Sequence, residues 1–363
     1  MGLRCGIVGL PNVGKSTIFN ALTAGNARVE NYEFCTIDPN EGVVYVPDRR
    51  LNELSTMVSH EKVRRTTLEF VDVAGLVEGA AKHGRGRGAR FLGHIRDTDA
   101  IIHVLRMFDN SDVIASHATL DPIKDAEIVN LELTYADLET VEKRIEKSRK
   151  LARVGDKKAG AEVSALEHVF AHLDKGKGAR DLEPTLLESV SYLFLLTAKP
   201  LVYVANISED LLAGSTQTER VLDFAEKSNA TCVFICGDLE AEIASLEHQS
   251  DREAFLADMG LQQSGLDKLI ETAYATLDLI TFYTIAGTEI GSWTIKSGTR
   301  AREAAGKIHS DMEKGFIRAE VINFNDFVRC GSEVRAKELG MIRLEGKDYL
   351  VEDGDLVRFR FNV

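Results

Sequence analysis

With 363 residues, the chain is long enough for two or three domains of ordinary size. Hydrophobic residues make up 44% and charged residues 28%, which is typical of globular proteins. The sequence has no run of about eighteen apolar residues, which argues against a transmembrane helix. An apolar strand that begins at Leu3 leaves no room for a signal peptide. We therefore expect a cytoplasmic, monomeric protein without a membrane partner.

The net charge of −13 argues against a basic coat for nucleic acid over the whole surface. In residues 279–363 the basic and acidic side chains are equal in number, so the acidic excess lies upstream. Of the five cysteines, Cys232 and Cys236 are four residues apart on a predicted strand, but no second pair completes a metal site. Buried thiols in a reducing compartment are the favoured interpretation.

The first hundred residues alternate between predicted strands and helices. Apolar runs predict strands at Leu3–Val8, Gly42–Val46, Leu68–Val73 and Ala100–Leu105, and a helix follows the first strand at Lys15–Ala24. Continuous apolar strands between helices are typical of a parallel sheet that is covered on both faces. The sequence therefore predicts an α/β domain.

After residue 125 the spacing of the apolar residues becomes typical of helices. Apolar residues recur every three or four positions across Ile128–Ile145 and Val163–Leu173, with a break at Val154–Gly160, which predicts a helical hairpin. Strands return at Leu201–Ala205 and Thr231–Ile235, so the hairpin is an insertion into the α/β domain.

After a predicted helix at Leu266–Leu277 the composition favours strands, in the segments SWTI, FIRAEVI, DYLV and VRFRFNV. We predict an α/β domain at 1–125 and 200–278, a helical arm at 126–199 and a β-rich C-terminal domain at 279–363.

The segment GLPNVGKS fits the phosphate-binding pattern G-x-x-x-x-G-K-[ST], and it lies between a predicted strand and a helix, as the pattern requires. Backbone N–H groups of such a loop curl around an anion at a helix N-terminus. Lys15 is the predicted catalytic group, which stabilises charge on the β- and γ-phosphates, and the Ser16 hydroxyl is a predicted Mg²⁺ ligand. The predicted phosphate-contacting residues are Gly9, Asn12, Val13, Gly14, Lys15, Ser16 and Thr17.

Three further residues are predicted near the γ-phosphate. Asp72 ends the strand LEFVDV, where a carboxylate can hold Mg²⁺ through water, and Gly75 lets the backbone approach the phosphate. Thr36, in the loop FCTIDPN, either reaches Mg²⁺ from the other side or caps a turn. Leu76 stands where Ras-like enzymes place a water-orienting glutamine, so slow hydrolysis is expected.

The residues that recognise the base depart from the guanine-specific pattern N-K-x-D. The strand LVYVA is followed by Asn206-Ile207-Ser208-Glu209, so the lysine is missing and the carboxylate is one methylene longer. Adenine has an acceptor at N1 and no 2-amino group, so a carboxylate positioned for guanine would repel it. The pattern therefore favours a site shifted toward adenine.

The segments GLPNVGKST, FCTIDPN, DVAGLVEGA, NISE and KGFIRAEV…GKDYLVEDGDLVRFRFNV resemble the Obg-like ATPase family, which includes the bacterial YchF proteins, over essentially the full chain. The resemblance implies a G domain with an inserted antiparallel coiled coil and a C-terminal TGS domain with a β-grasp fold. It implies magnesium-dependent ATP hydrolysis, weaker use of GTP, and the ribosome as partner. By position, it implies that Asn12–Thr17 hold the phosphates, that Ser16 and Thr36 ligate Mg²⁺, and that Asn206, Ile207 and Glu209 border the base.

The chain departs from the family at His83–Ala89, where many members have G-E-G-L-G-N, and at Ala115, where members often have a histidine. The group that activates water therefore stays open among His83, the arginines that follow it, and His117.

Two basic segments are candidate contacts to ribosomal RNA, or solvated surface. One is the loop Lys82–Arg96. The other spans residues 143–158 and contains Lys143, Arg144, Lys147, Arg149, Lys150, Arg153, Lys157 and Lys158. An alternative function is a GTP-dependent switch that binds an RNA or protein effector, which NISE in place of N-K-x-D argues against. A P-loop phosphotransferase is the last alternative, since the sequence shows no pocket motif for an acceptor.

Overall fold

The structure, a computed structural model, describes residues 3–24, 40–73, 87–109 and 120–362. It divides into two compact units, one formed by Met1–Val44 and Glu69–Ala273, the other by Tyr45–Leu68 and Tyr274–Val363. The segment Tyr45–Leu68, which the sequence analysis assigned to the α/β domain, thus groups with the C-terminal residues.

The strands of the described residues are β1 (Arg4–Val8), β2 (Glu41–Tyr45), β3 (Lys62–Arg64), β4 (Thr67–Asp72), β5 (Ala100–Met107), β6 (Leu201–Ile207), β7 (Thr231–Ile235), β8 (Leu279–Ala286), β9 (Glu289–Lys296), β10 (Phe316–Asn323), β11 (Arg343–Glu345) and β12 (Asp355–Phe361).

The α-helices of the same residues are α1 (Lys15–Ala24), α2 (Arg49–Met57), α3 (Arg87–Arg96), α4 (Pro122–Arg153), α5 (Lys157–Leu173), α6 (Pro184–Ser189), α7 (Thr216–Lys227), α8 (Gly237–Ser245), α9 (Gln249–Asp258), α10 (Gly265–Thr276), α11 (Ala301–Ile308), α12 (Ser310–Lys314), α13 (Phe324–Cys330) and α14 (Glu333–Glu338).

The sheet of the first unit has the strand order β2-β4-β1-β5-β6-β7. Strands β4, β1, β5, β6 and β7 pair in parallel, and every residue of β5 and β6 is buried. Because parallel strands end at the same edge of a sheet, the segments after β1, β4, β5 and β6 meet there. The predicted α/β fold class is confirmed.

The predicted helical insertion is also present. Helix α4 begins at Pro122, after the N-cap Asp121, and runs to Arg153. The break before α5 is shorter than predicted, because the Asp156 carboxylate accepts hydrogen bonds from the N–H groups of Lys158 and Ala159 and so starts the helix at Lys157. The two helices share a buried apolar cluster that includes Val141, Ile145, Leu166, Val169 and Leu173.

The second unit contains a mixed sheet with the order β11-β10-β12-β8-β9-β3. Strand β3 pairs in parallel with β9, and Leu51 and Leu54 of α2 belong to the same buried cluster as Tyr283. These contacts explain why Tyr45–Leu68 groups with this unit. That the unit is a TGS domain stays a prediction.

One predicted strand of this unit is wrong. The segment DYLV forms only an isolated bridge, between Leu350 and Arg300. The backbone of this segment bonds to the start of α11 and the residues before it, because Ala301 N–H donates to the Tyr349 carbonyl and Val351 N–H donates to the Thr299 carbonyl.

Candidate functional site

The phosphate loop joins the end of β1 to α1, and two of its glycines are required by close approach. Gly14 has φ +91°, and a Cβ atom on it would overlap the amide nitrogen of Asn206. A Cβ atom on Gly9 would lie 2.6 Å from the carbonyl oxygen of Val104. Asn12 also has positive φ, 62°. The loop therefore keeps a tight curl that most side chains would prevent.

Lys15 lies at the centre of this curl and is only 9% exposed. Its ammonium group donates to the carbonyl oxygens of Gly9, at 3.1 Å, and Leu10, at 2.9 Å. Burial lowers the pKa of Lys15, and the negative charge of Asp72 acts in the opposite direction. An anion placed in the loop would further favour the charged ammonium.

Asp72 is the last residue of β4, and its Cα atom is paired with that of Ile7 on β1. Burial raises its pKa, while the charge of Lys15 lowers it. Its Oδ1 atom is buried and has no hydrogen-bond partner among the described residues. A buried carboxylate oxygen of this kind, within electrostatic reach of Lys15, suits a hard cation such as Mg²⁺, which prefers oxygen ligands. The predicted Mg²⁺ ligand Thr36 and the predicted γ-phosphate contact Gly75 lie outside the described residues.

Asn206 connects two loops at the end of the site where the nucleotide base is predicted to bind, which we call the base end. Its amide nitrogen donates to the carbonyl oxygen of Val13 at 3.1 Å, and its amide oxygen accepts from the N–H of Gly237 at 3.1 Å. Asn206 therefore fixes the phosphate loop relative to the start of α8. Because its side chain is 5% exposed, both hydrogen bonds are shielded from water.

A cavity of about 510 Å³ extends from the phosphate loop to these base-end loops. Of the predicted residues, it is lined by Asn12, Gly14, Lys15, Ser16, Thr17, Asn206, Ile207 and Glu209. Gly9 and Val13 are not among its lining residues. Their carbonyl oxygens accept hydrogen bonds from two residues that do line it, Lys15 and Asn206. A volume of this size falls in the range of small-molecule sites.

Sequence reasoning missed part of the lining. Phe108 and Asp109 follow β5, and Leu239 and Glu242 belong to α8. Phe108 is held by Arg106, whose guanidinium carbon lies 4.7 Å from the ring centroid. The position of Phe108 just after a central parallel strand was the available signal, because that edge of the sheet carries the site.

The candidates for activating water, His83, its following arginines up to Arg87 and His117, and also Leu76, have no described side chains. Cys232 and Cys236 are free thiols, and burial raises the pKa of Cys232 to about 12. No cluster of three metal-ligating side chains occurs in the described ranges. Cys236 is buried and Cys232 is half-buried.

Glu240 supports the base end from α8. Its Oε1 atom accepts from the N–H of Gly265 at 2.6 Å, at the start of α10. The side chain is 2% exposed, and burial raises its pKa to about 7. Its Oε2 atom has no hydrogen-bond partner within the described ranges.

Comparisons with known proteins identify the family. The MMR_HSR1 model, described as a 50S ribosome-binding GTPase, matches residues 4–141, and the YchF-GTPase_C model, described as a protein of unknown function (DUF933), matches residues 279–362. The chain is 48% identical to the "Ribosome-binding ATPase YchF" of Bacillus subtilis (strain 168) and 46% identical to that of Escherichia coli O157:H7, over 100% of both chains in each case.

The chain belongs to the YchF family. The resemblance to Obg-like ATPases is thereby confirmed. The structure is also similar to that of the Schizosaccharomyces pombe YchF GTPase, with a TM-score of 0.88 and 33% identity over 99% of this chain and 98% of the other. The names of these YchF relatives thus include both an ATPase and a GTPase.

Within the described ranges, no helix combines the length and the apolar character that crossing a membrane would need.

Proposed function

We propose that the protein is a ribosome-binding ATPase that hydrolyses ATP to ADP and phosphate and uses GTP less well. One observation carries the proposal: a single cavity joins a phosphate loop to a base end in which Glu209 replaces the guanine-reading aspartate. Full-length relatives that are named as ribosome-binding ATPases support it. A ribosomal partner would place the protein in the cytoplasm, and we expect a monomer.

In this proposal Lys15 is the catalytic residue, because its ammonium contacts the phosphates and stabilises the charge on the transferred phosphoryl group. Water attacks the γ-phosphorus, and the bond to the bridging oxygen breaks with ADP as leaving group. Asn12 to Thr17 orient the phosphates together with Gly9 and Gly75. Asn206, Ile207 and Glu209 border the base.

Mg²⁺ is part of the proposal. Ser16 and Asp72 would hold it together with Thr36, and the ion would neutralise charge on the β- and γ-phosphates. The unpaired buried Oδ1 atom of Asp72 supports this assignment.

The arm is the proposed ribosome contact. Three basic residues of segment 143–158 are engaged in ion pairs, Lys143 with Glu139, Arg144 with Glu162 and Arg149 with Glu167. The others have exposed side chains and no ion pair among the described residues; they are Lys147, Lys150, Arg153, Lys157 and Lys158. These free charges toward the end of the arm suit RNA phosphates. The basic segment Lys82–Arg96, which includes helix α3, is the second proposed contact.

Co-sedimentation with ribosomes tests the arm. Charge reversal at Lys147, Lys150 and Arg153 should weaken binding and reduce its salt dependence, because fewer counterions are released. ATP affinity should not change. The matched control reverses Lys124, Arg220 and Lys268, three exposed basic residues of the same unit, and should bind like the wild type. If the arm variant co-sediments normally from low to moderate salt, the arm is only a solvated surface.

A further inference from the structure

A second cavity lies where the helical arm joins the rest of the first unit. It has a volume of about 370 Å³ and is formed where α4, the turn after α5 and the C-terminal end of α7 meet. Its lining includes Asn130 from α4, Lys177 and Gly178 from the turn, and Asn229 after α7. We name this cavity the arm-root pocket. It shares no lining residue with the nucleotide cavity.

The arm-root pocket is positively charged. Lys177, Arg180 and Lys227 line it, against the single carboxylate of Asp181. The Asp181 carboxylate is already engaged, because it accepts from the amide nitrogen of Asn229 at 2.9 Å. None of the three cations forms an ion pair with any residue that the structure describes.

Arg180 is the central group. Its Nε atom donates to the carbonyl oxygen of Thr197 at 3.1 Å, and its two terminal nitrogens have no acceptor among the described residues. Asp137, a nearby carboxylate, accepts instead from the N–H groups of Leu196 and Thr197, both at 2.8 Å, and from the Thr197 hydroxyl at 2.7 Å. Burial lowers the pKa of Arg180, and its electrostatic interactions with Tyr203, Asp181 and Asp137 act in the opposite direction. Asp137 and Asp181 stabilise the charge of Arg180 without forming an ion pair with it, so an anion in the pocket would offset more of the cost of its burial.

The turn after α5 offers further donors. The ring of His172 donates from Nε2 to the carbonyl oxygen of Gly178 at 3.0 Å, which fixes the orientation of that carbonyl. The backbone N–H groups of Lys177 and Gly178 have no acceptor within the described part of the chain. Guanidinium, ammonium and backbone N–H groups together are the donors that bind phosphate.

We propose that the arm-root pocket binds the phosphate or diphosphate group of a small phosphorylated molecule. A concave site of this volume suits a small ligand, whereas a nucleic-acid strand is contacted along an extended surface. The guanidinium of Arg180 binds two phosphate oxygens, and Lys177 and Lys227 bind from the exposed side. This site is separate from ATP hydrolysis and does not depend on the proposed function.

The test uses the full chain with Lys15→Ala, so that the phosphate loop contributes little to the signal. Inorganic pyrophosphate is titrated in magnesium-free buffer while the backbone amide signals of Lys177 and Gly178 are followed by NMR. We expect saturable shifts of these signals. Lys177→Ala and Lys227→Ala should each weaken the affinity about tenfold. Lys175→Ala is the matched control, since Lys175 is exposed on the same turn but does not line the cavity, and its effect should stay within about twofold.

Arg180→Lys keeps the charge but not the two-nitrogen geometry and should weaken binding more than either lysine variant. If it fails to fold, the two exposed lysine variants still decide the question. Equal affinities in both lysine variants and the control would overturn the proposal. So would shifts of the same signals by a single-stranded RNA oligonucleotide without any response to pyrophosphate, since the pocket would then belong to an RNA surface.

Discussion

At the phosphate end of the nucleotide cavity, most groups come from one continuous segment, Gly9–Thr17, and Asp72 joins them from the neighbouring strand β4. At the base end, Asn206 lies near the end of β6 and Glu209 follows that strand, while Gly237 begins α8 after β7. The phosphate end is thus fixed by local backbone conformation, and the base end depends on how separate strands are aligned.

The two ends also differ in the groups that compensate their buried ionisable side chains. Lys15 is buried and Asp72 is half-buried, and the charge of each opposes the effect of burial on the other's pKa. Glu240, which supports the base end, has no such partner, and its largest compensation is a hydrogen bond from the backbone of Gly265. The phosphate end is therefore organised for chemistry, whereas the base end is held by neutral hydrogen bonds and a carboxyl group whose charge is costly.

The largest effect should come from removing charge at the phosphate end. Lys15→Ala should lower the rate of ATP hydrolysis by about a thousandfold or more, roughly 4 kcal/mol, because no other described residue takes the place of its ammonium between the phosphate-loop carbonyls. Steady-state phosphate release measures the rate. Lys15→Met keeps the buried aliphatic stem and controls for packing, so both variants should be equally inactive. A wild-type rate in either would show that the active site is elsewhere.

The next effect concerns the buried carboxyl at the base end. The pKa of Glu240 is about 7 in the folded protein against an ordinary value of 4.5. Below about pH 4.5 the carboxyl is protonated in both states. As the pH rises toward 7, the unfolded chain releases its proton first, so the free energy of unfolding falls, by about 3 kcal/mol in total.

Glu240→Gln removes this titration and keeps an oxygen that accepts from Gly265. The difference in unfolding free energy between variant and wild type should therefore grow by about 3 kcal/mol in favour of the variant from pH 4.5 to pH 8. Urea denaturation at several pH values measures it. Glu242→Gln on the same helix, with an exposed side chain, is the control and should show no comparable trend. Parallel pH profiles for Glu240→Gln and wild type would contradict the prediction.

The link between the two ends should be weaker but measurable. Asn206→Ala removes two shielded hydrogen bonds and leaves the Val13 carbonyl and the Gly237 N–H without their partner, which should cost about 2 kcal/mol of stability. Asn206→Asp keeps the acceptor for Gly237 but sets a shielded carboxylate oxygen against the Val13 carbonyl, so it should also be destabilised. Denaturant midpoints and ATP affinity are the measurements. If Asn206→Ala matches the wild type in both, the link is not significant.

The phosphate end could be predicted from the sequence because its pattern is local. The helix at Lys15–Ala24 was predicted at the bounds observed, since the glycines of the loop and the lysine that follows leave few alternatives. The burial of Lys15 and the unpaired oxygen of Asp72 depend on neighbouring strands and could not be inferred from spacing alone.

The base end and the second unit were less predictable because they are assembled from distant segments. The end of β5 places Phe108 at the edge of the sheet that carries the site, but nothing in the sequence indicates that Glu242 of α8 lines the same cavity. Tyr45–Leu68 contacts residues more than 200 positions away, for example where Thr66 N–H donates to the Ser292 hydroxyl. The DYLV segment has strand-like composition, but its conformation is decided by backbone hydrogen bonds to Thr299 and Ala301.

The smallest effect expected is the discrimination between adenine and guanine. ATP should bind at least as well as GTP, because Glu209 is one methylene longer than the aspartate that guanine requires and Ile207 replaces the accompanying lysine. Titrations with fluorescent ATP and GTP analogues measure both affinities under identical conditions. Glu209→Asp combined with Ile207→Lys should raise the affinity for GTP. Ile207→Lys alone is the matched control, because it adds the positive charge without moving the carboxylate. A preference of the wild type for GTP of tenfold or more, about 1.4 kcal/mol, would instead favour a GTP-dependent switch, since the base end would then read guanine despite its altered residues.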